Sequence, residues 1–153
     1  MGRGMTRIDP PLYLASTTIS CWRCGSDMPA VAIIAPNVPG TEGTVCILSE
    51  TQSLPGNIRA FIQKRFPSYK LTYSKTIQSK YYANTCPRCG VLSGDFFLNS
   101  EPGAPFFPIS AEDAAHLSLV EIPADSPIDV QAGLGMGPGE IILQHARKDS
   151  IIR

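Results

Sequence analysis

Histidine is nearly absent from this sequence: it holds only His116 and His145, with no spaced ligand partner for either. A histidine-based metal site and a sequence-local Cys–His catalytic pair therefore have no support. Charge is sparse at 17% of residues and sums to zero, so the whole chain has no electrostatic bias toward nucleic acid or a membrane surface. Long apolar runs are missing. The most apolar stretch, Val31 to Pro36, is strand-length, far short of the ~20 residues that cross a bilayer. No continuous apolar segment separates Arg7 from Pro10-Pro11, so a signal peptide is not expected. Gly2 with Thr6 fits only the loose N-myristoylation pattern. The default setting is then the cytoplasm, away from membranes. Thiols stay reduced there, and paired cysteines indicate metal or redox chemistry rather than disulfides.

Glycine and proline are plentiful, at 13 and 14 residues of 153, which predicts long loops and short regular elements around one core. Residues 12–20 read as a strand rich in β-branched residues entering the first cysteine pair. Met28 to Val38 reads as a second strand and Thr44 to Leu48 as a third, joined by the turn at 39–43. One helix follows, with Ser53 as its cap, Pro55 near its first turn and Pro67 at its end. Ile58, Phe61, Ile62 and Phe66 share one face of it. Strands are expected at 69–73, 79–82, 91–98 and 117–122, and Ser110 to Asp113 reads as a capping box for a short helix. The fold class predicted is α+β: a zinc-ribbon-like antiparallel β-sheet with a hairpin and one α-helix inserted between two cysteine knuckles. Residues 1–123 form this domain. Residues 124–153, with the glycine run at 133–139, read as a loosely attached tail holding at most a short strand or helical turn at 141–145.

The informative feature is a repeat: Thr18-Ile-Ser-Cys-Trp-Arg-Cys-Gly25 and Ala83-Asn-Thr-Cys-Pro-Arg-Cys-Gly90. A Cys-x-x-Cys turn can aim two sulfurs at one point, and thiolate is a soft ligand suited to a tetrahedral four-sulfur site. The glycine after each pair permits the positive φ that such a turn needs. Cys21, Cys24, Cys86 and Cys89 together close the shell and leave no position for a substrate, the pattern of a structural site. Zn²⁺ is the expected ion, with iron in a four-sulfur site as the minor alternative. The pairs lie about sixty residues apart, well beyond the compact ~15–20 spacing of short zinc motifs, so strands must bring the knuckles together. A redox Cys-x-x-Cys needs a helix N-terminus to lower its thiol pKa, and Gly90-Val-Leu-Ser-Gly94 is poor helix material. The fifth cysteine, Cys46, alternates within an apolar strand and reads as a small buried hydrophobe.

Charge is unevenly placed. From Thr51 to Gly94 there is no Asp or Glu, while Arg59, Lys64, Arg65, Lys70, Lys75, Lys80 and Arg88 fall in that span among aromatics. Beyond Gly94 the balance turns acidic. Arg59, Lys64, Arg65, Lys70, Lys75 and Lys80 with Tyr73 and Tyr81 are candidate nucleic-acid contacts, cations for phosphates and rings for bases. Two other readings stand beside this one. The aromatics can be core residues beneath a solvated basic face, or the acidic part can fold over the basic insert. Trp22 reads as a shield over the metal or, if exposed, as a partner anchor. Asp95 has no second carboxylate or nucleophile at telling spacing and reads as a turn or cap residue.

The stretches Tyr13 to Val31 and Tyr81 to Pro108, with Cys-Trp-Arg-Cys-Gly and Cys-Pro-Arg-Cys-Gly-Val-Leu-Ser-Gly-Asp-Phe-Phe-Leu, resemble a group of poorly characterised bacterial zinc-ribbon proteins. The resemblance covers both knuckles, about a third of the chain. It implies metal binding by the four paired cysteines and a bacterial cytoplasmic setting, and it carries no established activity. The expected function is a zinc-held binding module whose basic-aromatic insert contacts nucleic acid. A protein-interaction or regulatory module without nucleic-acid binding is the alternative, and a Cys-x-x-Cys thiol redox protein the third reading. No catalytic constellation and no small-molecule substrate are evident.

Overall fold

The structure is a computed structural model and describes residues 4–148. Gly2 and the last five residues of the expected tail lie outside that range. Ten strands and four helices alternate along the described chain: β1 (Thr6–Ile8), β2 (Leu12–Ser20), β3 (Asp27–Ala35), β4 (Cys46–Ser53), α1 (Gly56–Arg65), β5 (Tyr69–Ser74), β6 (Ser79–Thr85), β7 (Leu92–Ser93), α2 (Asp95–Asn99), α3 (Ala111–Ala114), β8 (Ser118–Ile122), β9 (Ile128–Met136), α4 (Gly139–His145) and β10 (Arg147–Lys148). The α+β class expected from the sequence holds. Seven strands form the main sheet in the order β1-β9-β4-β3-β2-β8-β10, and β5-β6-β7 form a small second sheet. Every pairing is antiparallel except that of β10 with β8.

Both faces of the main sheet are covered, which explains why β3 is a continuous apolar run rather than an alternating one. Leu14, Val31, Ile33, Leu48, Val120 and Val130 point to one face. There they meet Ile58 and Ile62 of α1 and Tyr69 and Tyr82 of the small sheet. Ala15, Ala32, Ile34, Ile47 and Leu119 point to the other face and meet Leu98, Phe106 and Ile142. The period-2 alternation of strand side chains assigns each residue its layer.

Several local expectations change. Ser53 does not cap α1: β4 runs on to Ser53, and Pro55 occupies the cap position without a side-chain bond. The strand expected at 91–98 shrinks to Leu92–Ser93, and α2 begins at Asp95. Ser110 caps α3 as predicted, accepting a bond from the Asp113 N–H. The largest change concerns the C-terminal region. Residues 128–136, expected within a loose tail, form β9, paired along both edges with β1 and β4. Val130 and Ala132 are buried in the core. Local glycine content suggested flexible chain, but long-range pairing decides the conformation. Gly139 is buried at the start of α4, and a Cβ there would lie 2.7 Å from the Val45 carbonyl oxygen.

Candidate metal centre

The two cysteine pairs occupy the loops of two hairpins from different sheets: Cys21 and Cys24 between β2 and β3, Cys86 and Cys89 between β6 and β7. The loops share two backbone bonds. Cys21 N–H donates to the Ser26 carbonyl at 2.8 Å, and Cys86 N–H to the Val91 carbonyl at 2.9 Å. Gly25 N–H returns to the Cys21 carbonyl at 3.0 Å, and Gly90 N–H to the Cys86 carbonyl at 2.9 Å. Gly25 and Gly90 have φ of 75° and 81°, the left-handed region that a side chain disfavours. The repeat seen in the sequence is thus a repeat of backbone geometry.

The four Sγ atoms lie within 4.8 Å of one another. Cys21 and Cys89 approach to 3.6 Å, as do Cys24 and Cys86. Tetrahedral Zn–S bonds of about 2.3 Å place sulfurs about 3.8 Å apart, so the cluster has the dimensions of a four-sulfur site. It is too open for disulfides, whose sulfurs bond at about 2.05 Å, and all five cysteines are free thiols. Cys21 and Cys86 are buried and Cys24 and Cys89 exposed, so each loop contributes one inner and one outer sulfur. Met28, with Ile19 and Val91, packs against the inner pair.

The polar surroundings favour negative charge on part of this array. Backbone N–H groups of Cys24 and Arg23 lower the Cys21 thiol, against the opposing effect of burial. The Ser26 side chain and backbone, with the neighbouring thiols, lower Cys24 to about 6. At Cys89 a backbone bond from Val91 acts downward, but desolvation and the three other sulfurs push it up to about 11. Four thiols that share one space cannot all ionise without a cation, so proton release and cation entry are coupled.

Three links beyond sulfur hold the hairpins together. Asn84 of β6 accepts from the Val31 N–H at 2.8 Å and donates to the Val31 carbonyl at 3.0 Å. The Trp22 indole N–H donates to the Leu92 carbonyl at 2.9 Å, and Ser93 Oγ approaches Met28 Sδ at 3.7 Å. Sequence reasoning missed Asn84. Its one signal was an amide side chain directly after the run Tyr81-Tyr82-Ala83 and two residues before Cys86. The shield role for Trp22 is corrected: the side chain is 68% exposed, and Met28, Ile19 and Val91 do the covering.

The basic-aromatic candidates separate. Arg59, Lys64, Lys70, Lys75 and Lys80 are exposed, while Arg65 is half-buried with its guanidinium 5.0 Å from the Phe61 ring centre. Tyr73 is 52% exposed, on the same face as its cross-strand neighbour Lys80. Tyr81 is corrected: it is buried, its hydroxyl accepts from the Asp95 N–H at 3.3 Å, and its ring is not free to stack on a base. In the β5–β6 register Lys70 pairs with Ala83 and Lys80 with Tyr73, which puts Lys70 and Lys80 on opposite faces of the hairpin. Among the described residues none of these lysines forms an ion pair with the acidic C-terminal part. Cys46 lies in the core, away from the cluster, its thiol raised by burial. Both histidines are exposed.

Asp95 does more than start a helix. Its Oδ2 accepts from the Glu50 N–H at 2.7 Å, where Glu50 has φ of 48° at a register shift in β4. Burial, with Glu50 nearby, raises its carboxyl to about 7 despite that bond. No helix among the described residues is long and apolar enough to cross a membrane.

Comparison with protein-family models, with curated proteins and with solved structures found no match to this chain. The structure itself therefore defines the class: a mixed α+β protein, mostly antiparallel strands, with a four-cysteine cluster able to hold a metal ion.

Proposed function

We propose that this chain is a zinc-clasped binding module of zinc-ribbon type, in which one Zn²⁺ held by Cys21, Cys24, Cys86 and Cys89 fastens the main sheet to the small sheet. The carrying observation is the convergence of four sulfurs from two matching hairpin loops. Four thiolates fill a tetrahedral shell, so the ion's role is structural. A thiol redox role has less support, because both Cys-x-x-Cys segments sit in hairpin loops and not at helix N-termini. Metal analysis of the purified protein tests the reading, with one zinc per chain expected. Protein free of both zinc and iron would sink it.

For the contact face, nucleic acid is the reading that the exposed cations support. Arg23 and Arg88 stand at equivalent exposed positions of the two knuckles beside the exposed Trp22, and Tyr73 with Lys80 offers a second ring and charge. Trp22 is the single tryptophan, so its fluorescence reports on that end of the molecule alone. Titration with a single-stranded oligonucleotide should quench it, with affinity falling steeply as salt rises. A protein-interaction role has its own support. Phe96 and Phe97 meet edge to face at 5.8 Å, yet both are exposed, Phe97 at 76%. Flat fluorescence at low salt, with a stable partner retained on the wild-type protein and lost with Phe97→Ser, would favour that role.

A further inference from the structure

The geometry points to a small-anion pocket, of a kind that takes a phosphate monoester, on the main sheet where β2, β8 and β10 meet Phe66. This inference is independent of the metal reading. Ser16, Thr17, Thr18, Pro29, Phe66, His116, Ser118 and Arg147 line a depression of about 330 Å³ that is open to solvent. The register explains why these groups converge. Ser118 pairs with Ser16 on one side and with Arg147 on the other, so three polar side chains form one row across three strands. Directly paired residues share a face of a sheet. Leu14 and Val120 lie on that face too and belong to the core, so the row begins where the apolar surface ends. Phe66, at the C-terminal end of α1, forms the facing wall.

The donor set has one sign. Arg147 brings a guanidinium, His116 an imidazole, and Ser16, Thr18 and Ser118 hydroxyls, while among the described residues no carboxylate lines the depression. Arg147 is already oriented, because Nη2 donates to Ser118 Oγ at 3.0 Å and the Arg147 N–H is held by the Leu117 carbonyl at 2.8 Å. A guanidinium tethered through one nitrogen still presents its remaining N–H donors as a planar fork, the geometry that suits phosphate oxygens. Hydroxyls then complete the shell of an anion that has more acceptor oxygens than one arginine can serve. The volume stands at the low end of ligand pockets, roughly 300–1,000 Å³, which favours a compact phosphate-bearing molecule over a large cofactor.

The test is a ¹⁵N–¹H spectrum of the full-length, metal-loaded protein titrated with inorganic phosphate, then adenosine monophosphate, then a 5′-phosphorylated oligonucleotide. Saturable shifts at the amides of Thr18, Ser118 and Arg147 with phosphate and the monophosphate are expected. Arg147→Gln should weaken that affinity at least about tenfold while leaving the rest of the spectrum in place. Arg23→Gln, outside the pocket, should leave it unchanged. No saturable shift, or equal affinity in Arg147→Gln, overturns the inference. So do shifts centred on Lys70 to Lys80, which would mark diffuse cation binding. Response to the oligonucleotide alone overturns it in favour of a nucleic-acid surface.

Discussion

The side-chain amide of Asn84 pairs with both the N–H and the C=O of Val31, standing in for a neighbouring strand. β4 pairs with β3 only at Ile34 and Ala35, so the edge of β3 near Val31 would otherwise hold two unmatched polar groups in a buried place. The small sheet is thereby joined to the main sheet close to the cysteine loops. Asn84→Ala should destabilise the protein by about 2–4 kcal/mol, since each buried group left unpaired costs roughly 1–3. Urea unfolding measures this. A change below about 0.5 kcal/mol, the range of ordinary surface substitutions, would show that water replaces the amide.

Cys24→Ser and Cys89→Ser each remove one outer sulfur. Bound zinc should fall well below one per chain, and the unfolding temperature should drop. Structural zinc contributes apparent binding energies of about 10–16 kcal/mol in small peptides, comparable with the ~5–15 kcal/mol that stabilises a whole domain. A strong chelator should therefore unfold the wild-type protein, read by loss of near-ultraviolet circular dichroism. Cys46→Ser should retain zinc, because Cys46 lies in the core away from the cluster.

Asp95 makes stability depend on pH. Its folded-state pKa, about 7, lies above the unfolded value of about 3.9. A carboxyl raised in this way contributes stability that is fully present below pH ~4 and lost as pH rises through about 7. Asp95→Asn keeps an oxygen to accept from the Glu50 N–H and cannot ionise. The variant should thus gain on wild type as pH rises from 5 to 8, by a few kcal/mol at ~1.4 per pKa unit. Urea midpoints across that range check it, and parallel curves for the two proteins would refute the assignment.

Gly139→Ala should cost about 1–3 kcal/mol, the usual penalty of overpacking. The new methyl would press on the Val45 backbone, which cannot rotate aside as a side chain could. Thermal unfolding measures it.

Much of this was legible in the sequence, for local reasons. The cysteine loops were readable because each is specified by five consecutive residues. α1 was readable because Ile58 and Ile62 mark a helical face. What was not legible depended on distant chain. Phe96 and Phe97 looked like part of a strand, but a short apolar run has no fixed period. Asp95, fixed by the Glu50 N–H, instead begins a helix there and leaves both rings in solvent. Tyr69, Leu71 and Tyr73 share one face of β5 in the register. Its burial is uneven because β5 overhangs the core: Tyr69 lies inside it and Tyr73 beyond it. β9 was missed because Gly133 and Gly135 signal looseness locally, whereas they face Ser49 and Ile47 across a ladder.

The place of β9 bears on how the chain can be made and cut. Among the described residues β1 pairs with no strand but β9, and β9 is also the outer partner of β4. During synthesis the main sheet stays open along β4 until residue 136 has left the ribosome, with an unpaired edge available to other chains. A product ending at residue 123 would lose β9 and β10 directly and leave β1 without its partner. The first strand and the last long one stand or fall together.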